Sequence, residues 1–182
     1  APAWGLTHLD GSGTPWLKGF CEVNDVLQRN AGFLLDAAPR PAEVALLYSP
    51  ENQIFGWIAT GNEKTVTDAL MGAHRAWYNQ NFNVDLVHAR EVVSGVLSRY
   101  KVLFIPFPYF LTAPVCAALG AWVAEGGVLI AEAYCAGWDV ENGMHQTTIP
   151  GNGLDRVFKV RQLMAAPPDP DGHVDLFLTL DL

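Results

Sequence analysis

Apolar and polar positions change their spacing several times along this chain, and each change marks an element. From Trp16 to Leu35 the apolar residues Phe20, Val23, Leu27, Phe33 and Leu34 recur at three-, four- and near-seven-residue intervals, which predicts a helix with one buried face. Pro39-Arg40-Pro41 ends it. Glu43 to Tyr48 (EVALLY) is then almost continuously apolar, as in a strand covered on both faces. After a polar loop around Gly61-Asn62, residues Val66, Leu70, Ala73 and Trp77 step by four, three and four along a second helix. Val84 to His88 (VDLVH) reads as a strand, Val92 to Leu97 as a short helix and Val102 to Pro106 (VLFIP) as a third strand. Thr112 is a plausible N-cap with Pro114 in the first turn, so Ala113 to Glu125 forms a helix with Val115, Leu119 and Trp122 inward. Gly126-Gly127 stops that helix, and Val128 to Ala133 (VLIAEA) is expected as a fourth buried strand.

Strands alternating with helices of this length imply right-handed crossovers. The fold expected is therefore α/β: a doubly wound, mostly parallel sheet with helices on both faces, flavodoxin-like, over residues 42–163. Leu154 to Phe158 adds a short helix. The run Ala165-Ala166-Pro167-Pro168-Asp169-Pro170-Asp171-Gly172 reads as a linker, and Val174 to Leu180 as one more strand.

Composition narrows the function classes. The 182 residues are 50% hydrophobic and 16% charged, a globular balance with some length beyond one domain of about 150 residues. A net charge of -8 repels phosphate backbones and anionic headgroups, so nucleic acid and membrane surfaces are not expected partners. The longest apolar run, Val102 to Leu111, is broken by Pro106 and Pro108 and is far short of the ~20 residues of a membrane helix. Three cysteines, Cys21, Cys116 and Cys135, lie far apart with no histidine at ligand spacing, so neither a zinc site nor any other metal or cofactor is expected. Reduced thiols suit a cytoplasmic protein. The chain opens Ala1-Pro2-Ala3-Trp4 without a signal-peptide pattern and reads as a piece of a longer protein.

Ligands of open parallel sheets bind beyond the carboxyl ends of the strands. Those ends carry Ser49-Pro50-Glu51-Asn52, His88-Ala89-Arg90, Phe107-Pro108-Tyr109 and Tyr134-Cys135-Ala136-Gly137-Trp138-Asp139. Cys135 on a tight turn with a small residue and glycine behind it has the build of a nucleophile elbow. The order resembles class I glutamine amidotransferase-like enzymes, in which Cys135 and Glu51 occupy the places of a nucleophile and an assisting glutamate, with His145 as the nearest downstream histidine. Those enzymes usually present glycine amides as an oxyanion hole after the third strand, where this chain has Pro106-Phe107-Pro108, and proline has no N–H. Otherwise Cys135 reads as a small apolar thiol at a crowded strand end. Glu132, inside an apolar strand, needs a partner or an exit to solvent. Asp139 and Glu141 read as a solvated acidic turn, His74 as a packed or surface residue, and Gly151-Asn152-Gly153 as a helix entry.

Taken in order, AEVALLYSPENQIF, AHRAWYNQNFNVDLVHA, LSRYKVLFIPFPYFLT, WVAEGGVLIAEAYCAGWDVENG and PGNGLDRVF resemble the middle domain of glycoside hydrolase family 42 β-galactosidases. In that family an amidotransferase-like domain follows the catalytic barrel and makes trimer contacts. The stretch WGLTHLDGSG at Trp4 to Gly13, with the helix after it, is similar to the end of the preceding (β/α)8 barrel. The resemblance implies barrel tail over 1–41, the α/β domain over 42–163, and a linker with the start of a following strand over 164–182. It also implies a homotrimer in the intact protein, and partnership with a catalytic barrel carrying both carboxylates, which a retaining mechanism sets about 5 Å apart. No residue here matches either carboxylate, so no catalytic residue is expected. Cys135, Glu51 and His145 remain as candidates for a cysteine-dependent hydrolase or amidotransferase, and a flavodoxin-like small-ligand module is the third reading.

Overall fold

The computed structural model describes residues 5–38, 40–62, 64–165 and 176–180, with backbone alone for 164–165 and 176–180. The chain divides after Arg40 into two compact units, Ala1–Arg40 and Pro41–Leu182.

In the first unit an antiparallel bridge between Thr7 and Gly13 closes a turn. Asp10 Oδ1 braces that turn, accepting from the Ser12 hydroxyl at 2.6 Å and the Ser12 amide at 2.9 Å, and these donors hold its carboxyl below the usual range. Two helices follow, α1 (Pro15–Arg29) and α2 (Ala31–Asp36). The single helix expected from Trp16 to Leu35 is interrupted because Asn30 leaves helical geometry and turns its Nδ2 back onto the Val26 carbonyl at 2.8 Å. Trp16, Phe20, Val23 and Leu27 form one apolar stripe along α1, and all four are exposed.

The second unit is built on a parallel sheet of β1 (Val44–Tyr48), β2 (Val84–His88), β3 (Val102–Ile105) and β4 (Val128–Ala131). The spatial order is β2-β1-β3-β4, with Val84, Val44, Val102 and Val128 side by side in register. The order reverses between β1 and β3, so the crossovers place helices on opposite faces. One face carries Ala45, Leu47, Val87, Leu103 and Ile105 into a core closed by α5 (Ala89–Val93), a 3₁₀ turn (Val96–Arg99), α6 (Ala113–Ala124) and α7 (Leu154–Phe158). Leu119 and Leu154 are fully enclosed there. The other face lies under α3 (Pro50–Thr60) and α4 (Lys64–Tyr78), which pack on each other, α4 also touching β1 and β2.

Helix α3 is an addition to the sequence reading, which assigns no element to residues 50–60. Its signals are local: Ser49 caps it by accepting from the Asn52 amide at 3.1 Å, Pro50 opens it, and Gly61 in the left-handed region ends it. The fourth strand also departs from expectation. It lies at the sheet edge and is half exposed, with Val128 51% and Ile130 37% accessible, because no described helix covers its outer face. Beyond it the chain makes a small antiparallel pair, β5 (Trp138–Asp139) with β6 (Met144–His145). A second antiparallel pair joins β7 (Val160–Ala165) to β8 (Leu176–Leu180). Most of the expected linker, 166–172, lies outside the described residues, as does Trp4.

Candidate functional site

Three loops meet at the carboxyl ends of β1, β3 and β4, and one buried side chain ties two of them together. Asn52, 4% exposed in the first turn of α3, donates through Nδ2 to the Phe107 carbonyl and accepts at Oδ1 from the Phe110 amide at 2.9 Å. Phe107 sits between two prolines with φ +44°, a conformation unusual for a bulky residue. Its amide is engaged as well: it donates to Glu132 Oε2 at 2.9 Å. Glu132 therefore meets both conditions set by its place in an apolar strand, a partner and an exposed position.

The turn after β4 is held in the same way. Tyr134 (φ +61°) and Ala136 (φ +50°) flank Cys135 in left-handed conformations. The Tyr134 amide donates to Gln162 Oε1 at 2.7 Å, and the Ala136 amide to the Pro108 carbonyl at 2.7 Å. The Gly137 amide donates to Tyr134 at 2.9 Å and that of Trp138 to Tyr109 at 3.2 Å. The amides of Tyr134, Ala136, Gly137 and Trp138 are thus already committed, and so is that of Phe107.

These turns enclose a groove of about 770 Å³. Helix α3 contributes Phe55, Ile58 and Thr60, the β3 turn Phe107 and Tyr109, and the last strand end Glu132, Tyr134, Trp138 and His145. The rings pack on one another: Phe55 lies 4.9 Å from Trp138 and 5.2 Å from Tyr109, and Tyr109 meets Tyr134 edge-on at 6.0 Å. Gly137 is obligatory in this wall, since a Cβ there would sit 2.7 Å from the Tyr109 ring. Tyr109 Oη hydrogen-bonds His145 Nδ1, and burial raises the Tyr109 phenol above its usual range.

The three candidate residues are not brought together. Cys135, 3% exposed, lines a second cavity of about 230 Å³ with Pro150, Phe158 and Gln162. Burial pushes its thiol strongly up, and nearby Cys116, itself pushed by burial to about 11, adds to the shift. A thiol so placed is a poor nucleophile. His145 stands in the aromatic groove. Glu51 lies in a third cavity, where Oε1 accepts from Arg90 at 2.7 Å. Its own backbone amide and then Arg90 lower its carboxyl below the ordinary range. Asn152 of the Gly-Asn-Gly run ties loops together, donating to the Leu111 carbonyl at 2.9 Å and accepting from Gln146 at 3.2 Å. His74 stacks on Tyr78 at 5.9 Å, and Asp139 accepts from Asn142 within its own turn at 2.8 Å. Among the described residues no cluster of three His, Cys, Asp or Glu could hold a metal ion, and no helix is long and apolar enough to cross a membrane.

Sequence reasoning reached the strand ends, Asn52 among them, but gave Asn52 no role and did not name Phe55. The Ser-Pro-Glu helix start was the available signal, and it implied an inward-facing residue one turn later.

Comparison with known proteins decides which family carries this arrangement. Residues 42–173 match the family described as the β-galactosidase trimerisation domain. The chain belongs to that family. This trimerisation domain is similar to β-galactosidase GalA of Bacillus licheniformis, with 31% identity over 94 residues, which is 50% of this chain and 13% of that protein. The chain thus spans a small fraction of the relative it matches. Among solved structures, it resembles a catalytic mutant of Gan42B, a GH42 β-galactosidase from G. stearothermophilus, at 24% identity and a TM-score of 0.73, over 91% of this chain and 24% of that one. It also resembles the β-galactosidase of Bifidobacterium adolescentis, at 19% identity and a TM-score of 0.58, over 77% and 69% of the two chains. The parallel α/β fold is shared with these two solved structures.

Proposed function

We propose that this chain is the assembly portion of a β-galactosidase-like glycoside hydrolase, joining three subunits and contributing no catalytic group of its own. The observation that carries this reading is the match of the α/β unit to the trimerisation domain family. The committed amides and the suppressed thiol of Cys135 support it against a cysteine-dependent enzyme.

In this reading residues 1–41 are the end of a catalytic barrel, 42–163 the assembly domain, and 164–182 the approach to a following domain. The exposed stripe of Trp16, Phe20, Val23 and Leu27 supports the first assignment, since an amphipathic helix ordinarily covers such a face. The barrel is then the second partner after the neighbouring copies, and three unpaired cysteines suit a cytoplasmic setting.

Light scattering coupled to size exclusion tests the assembly. A trimer, or association that grows with concentration, is expected; a strict monomer at high concentration overturns it. The purified chain is expected to leave a chromogenic β-galactoside intact, and turnover that survives removal of contaminants overturns the non-catalytic role.

A further inference from the structure

We propose that the aromatic groove formed by α3 and the turns after β3 and β4 is a binding site for a neutral β-linked oligosaccharide.

Its place in the fold is the first argument. Ligands of open parallel sheets bind beyond the carboxyl ends of the strands. The groove lies beyond the ends of β3 and β4, beside the helix that follows β1. Its volume of about 770 Å³ falls within the range of small-molecule sites.

Its chemistry is the second. Phe55, Phe107, Tyr109, Tyr134 and Trp138 offer aromatic surface with electron-rich faces. A pyranose ring in a β-linked chain has one flat face of C–H bonds, slightly positive, and a rim of hydroxyls. The C–H face matches the rings, and the hydroxyls match the polar groups spaced along the wall. Glu132 spends Oε2 on the Phe107 amide and keeps Oε1 for hydroxyl donors. Thr60 donates to the Gly56 carbonyl at 2.7 Å and accepts from the Asn62 amide at 3.2 Å, so its hydroxyl marks a polar point on the wall. The Tyr109–His145 pair supplies a further polar edge.

Charge selects among ligands. No described residue lining the groove is Lys or Arg, and one is a carboxylate, so phosphates, nucleotides and acidic sugars are disfavoured. A quaternary ammonium needs rings arranged around a point. Here the rings pack on one another at 4.9 to 6.4 Å and form a continuous wall, which fits an extended ligand better than a spherical one.

Preorganisation is the third argument. Phe107 and Tyr134 both occupy left-handed conformations, and each is fixed by side chains from elsewhere: Phe107 by Asn52 and Glu132, Tyr134 by Gln162. Strain maintained in this way marks sites where a side chain has to be aimed. Both rings are aimed into the groove.

Amide and indole NMR of the 182-residue chain titrated with lactose and cellobiose tests the proposal. Saturable shifts at the Trp138 indole and the Phe107 and Tyr134 amides are expected, with Kd in the millimolar range, around 1–10 mM. Trp138→Ala is expected to weaken binding about fivefold to tenfold. Tyr134→Asn should do the same, and because asparagine suits the left-handed backbone, its loss of binding is not a loss of fold. The proposal is overturned if no saturable shift appears up to about 50 mM sugar, or if choline chloride moves the same signals equally. It is also overturned if the signals follow protein concentration alone, which means a second copy fills the groove. The proposal does not rest on the assembly reading: a trimer without sugar-dependent shifts overturns this site and leaves assembly standing.

Discussion

The buried side chain of Asn52 donates to the carbonyl of Phe107, so the helix after β1 and the turn after β3 are held by one residue. The oxygen of the same side-chain amide accepts from the Phe110 N–H, which leaves both ends of the turn dependent on Asn52. Asn52→Ala strands a part-buried carbonyl and a part-buried amide, and a cost of about 1–3 kcal/mol is expected from the two lost partners. Asn52→Asp keeps the acceptor for Phe110 but offers no donor to Phe107, so its cost should also be clear. Urea unfolding measures both, and near-UV circular dichroism should show the aromatic signal of the groove weakened in each. A loss below about 0.5 kcal/mol for Asn52→Ala would show the two loops are held independently of it.

The buried thiols predict an alkaline weakness. Burial raises the Cys116 thiol from 9.0 to about 11, and Cys135 higher still. Below about pH 9 both thiols are protonated in the folded and unfolded chains, so their contribution is constant. Between about pH 9 and pH 11 the unfolded chain ionises Cys116 and the folded chain does not, so stability falls as pH rises through this window. The loss should be on the order of 1–2 kcal/mol for this group. Urea midpoints across the window should fall less steeply in Cys116→Ala than in the unaltered chain. Below the window, iodoacetamide should label exposed Cys21 first and reach Cys135 only as the chain unfolds.

Lys159 ends α7 with φ +55° and is exposed, so a left-handed residue is required where no side chain is needed. Lys159→Gly is expected to stabilise the second unit by about 0.5–1 kcal/mol, the left-handed cost removed less the added chain entropy of glycine. A thermal midpoint raised by a few degrees is the expected reading; an unchanged or lowered midpoint contradicts it.

Much of the second unit was legible because strands buried on both faces must be almost continuously apolar, and VALLY and VLFI are. The same rule misjudged β4, where VLIA is equally apolar but only one face meets a core. Sequence records the preference of side chains, not whether a neighbour arrives to cover them. Helix α3 escaped for a related reason. Ile54, Trp57 and Ile58 face water, its buried positions are Asn52 and Gly56, and so the usual contrast of apolar and polar faces is inverted. Cys135 was correctly placed at a strand end. What spacing could not give was that Glu51, Cys135 and His145 end in three separate cavities, since this depends on Arg90 drawing Glu51 away and on the β5–β6 pair carrying His145 to the aromatic wall.

The stripe on α1 makes a solubility prediction. Phe20 is 54% exposed and Val23 and Leu27 are similar, so Phe20→Glu removes apolar surface without opening a core. Lower binding of a hydrophobic dye and less aggregation are expected, with the unfolding midpoint of the second unit unchanged. Unchanged dye binding and aggregation contradict it.

Among the described residues, strand β4 closes one side of the sheet with an unpaired backbone row and with Val128 and Ile130 in view, the arrangement that recruits foreign strands. Its four residues lie between Glu125 and Glu132, both exposed. Two such edges meeting antiparallel would bring a carboxylate of each chain against one of the other, and their repulsion would oppose the pairing. Neutralising Glu132, the carboxylate that steadies the Phe107 turn, is therefore expected to favour edge-to-edge association.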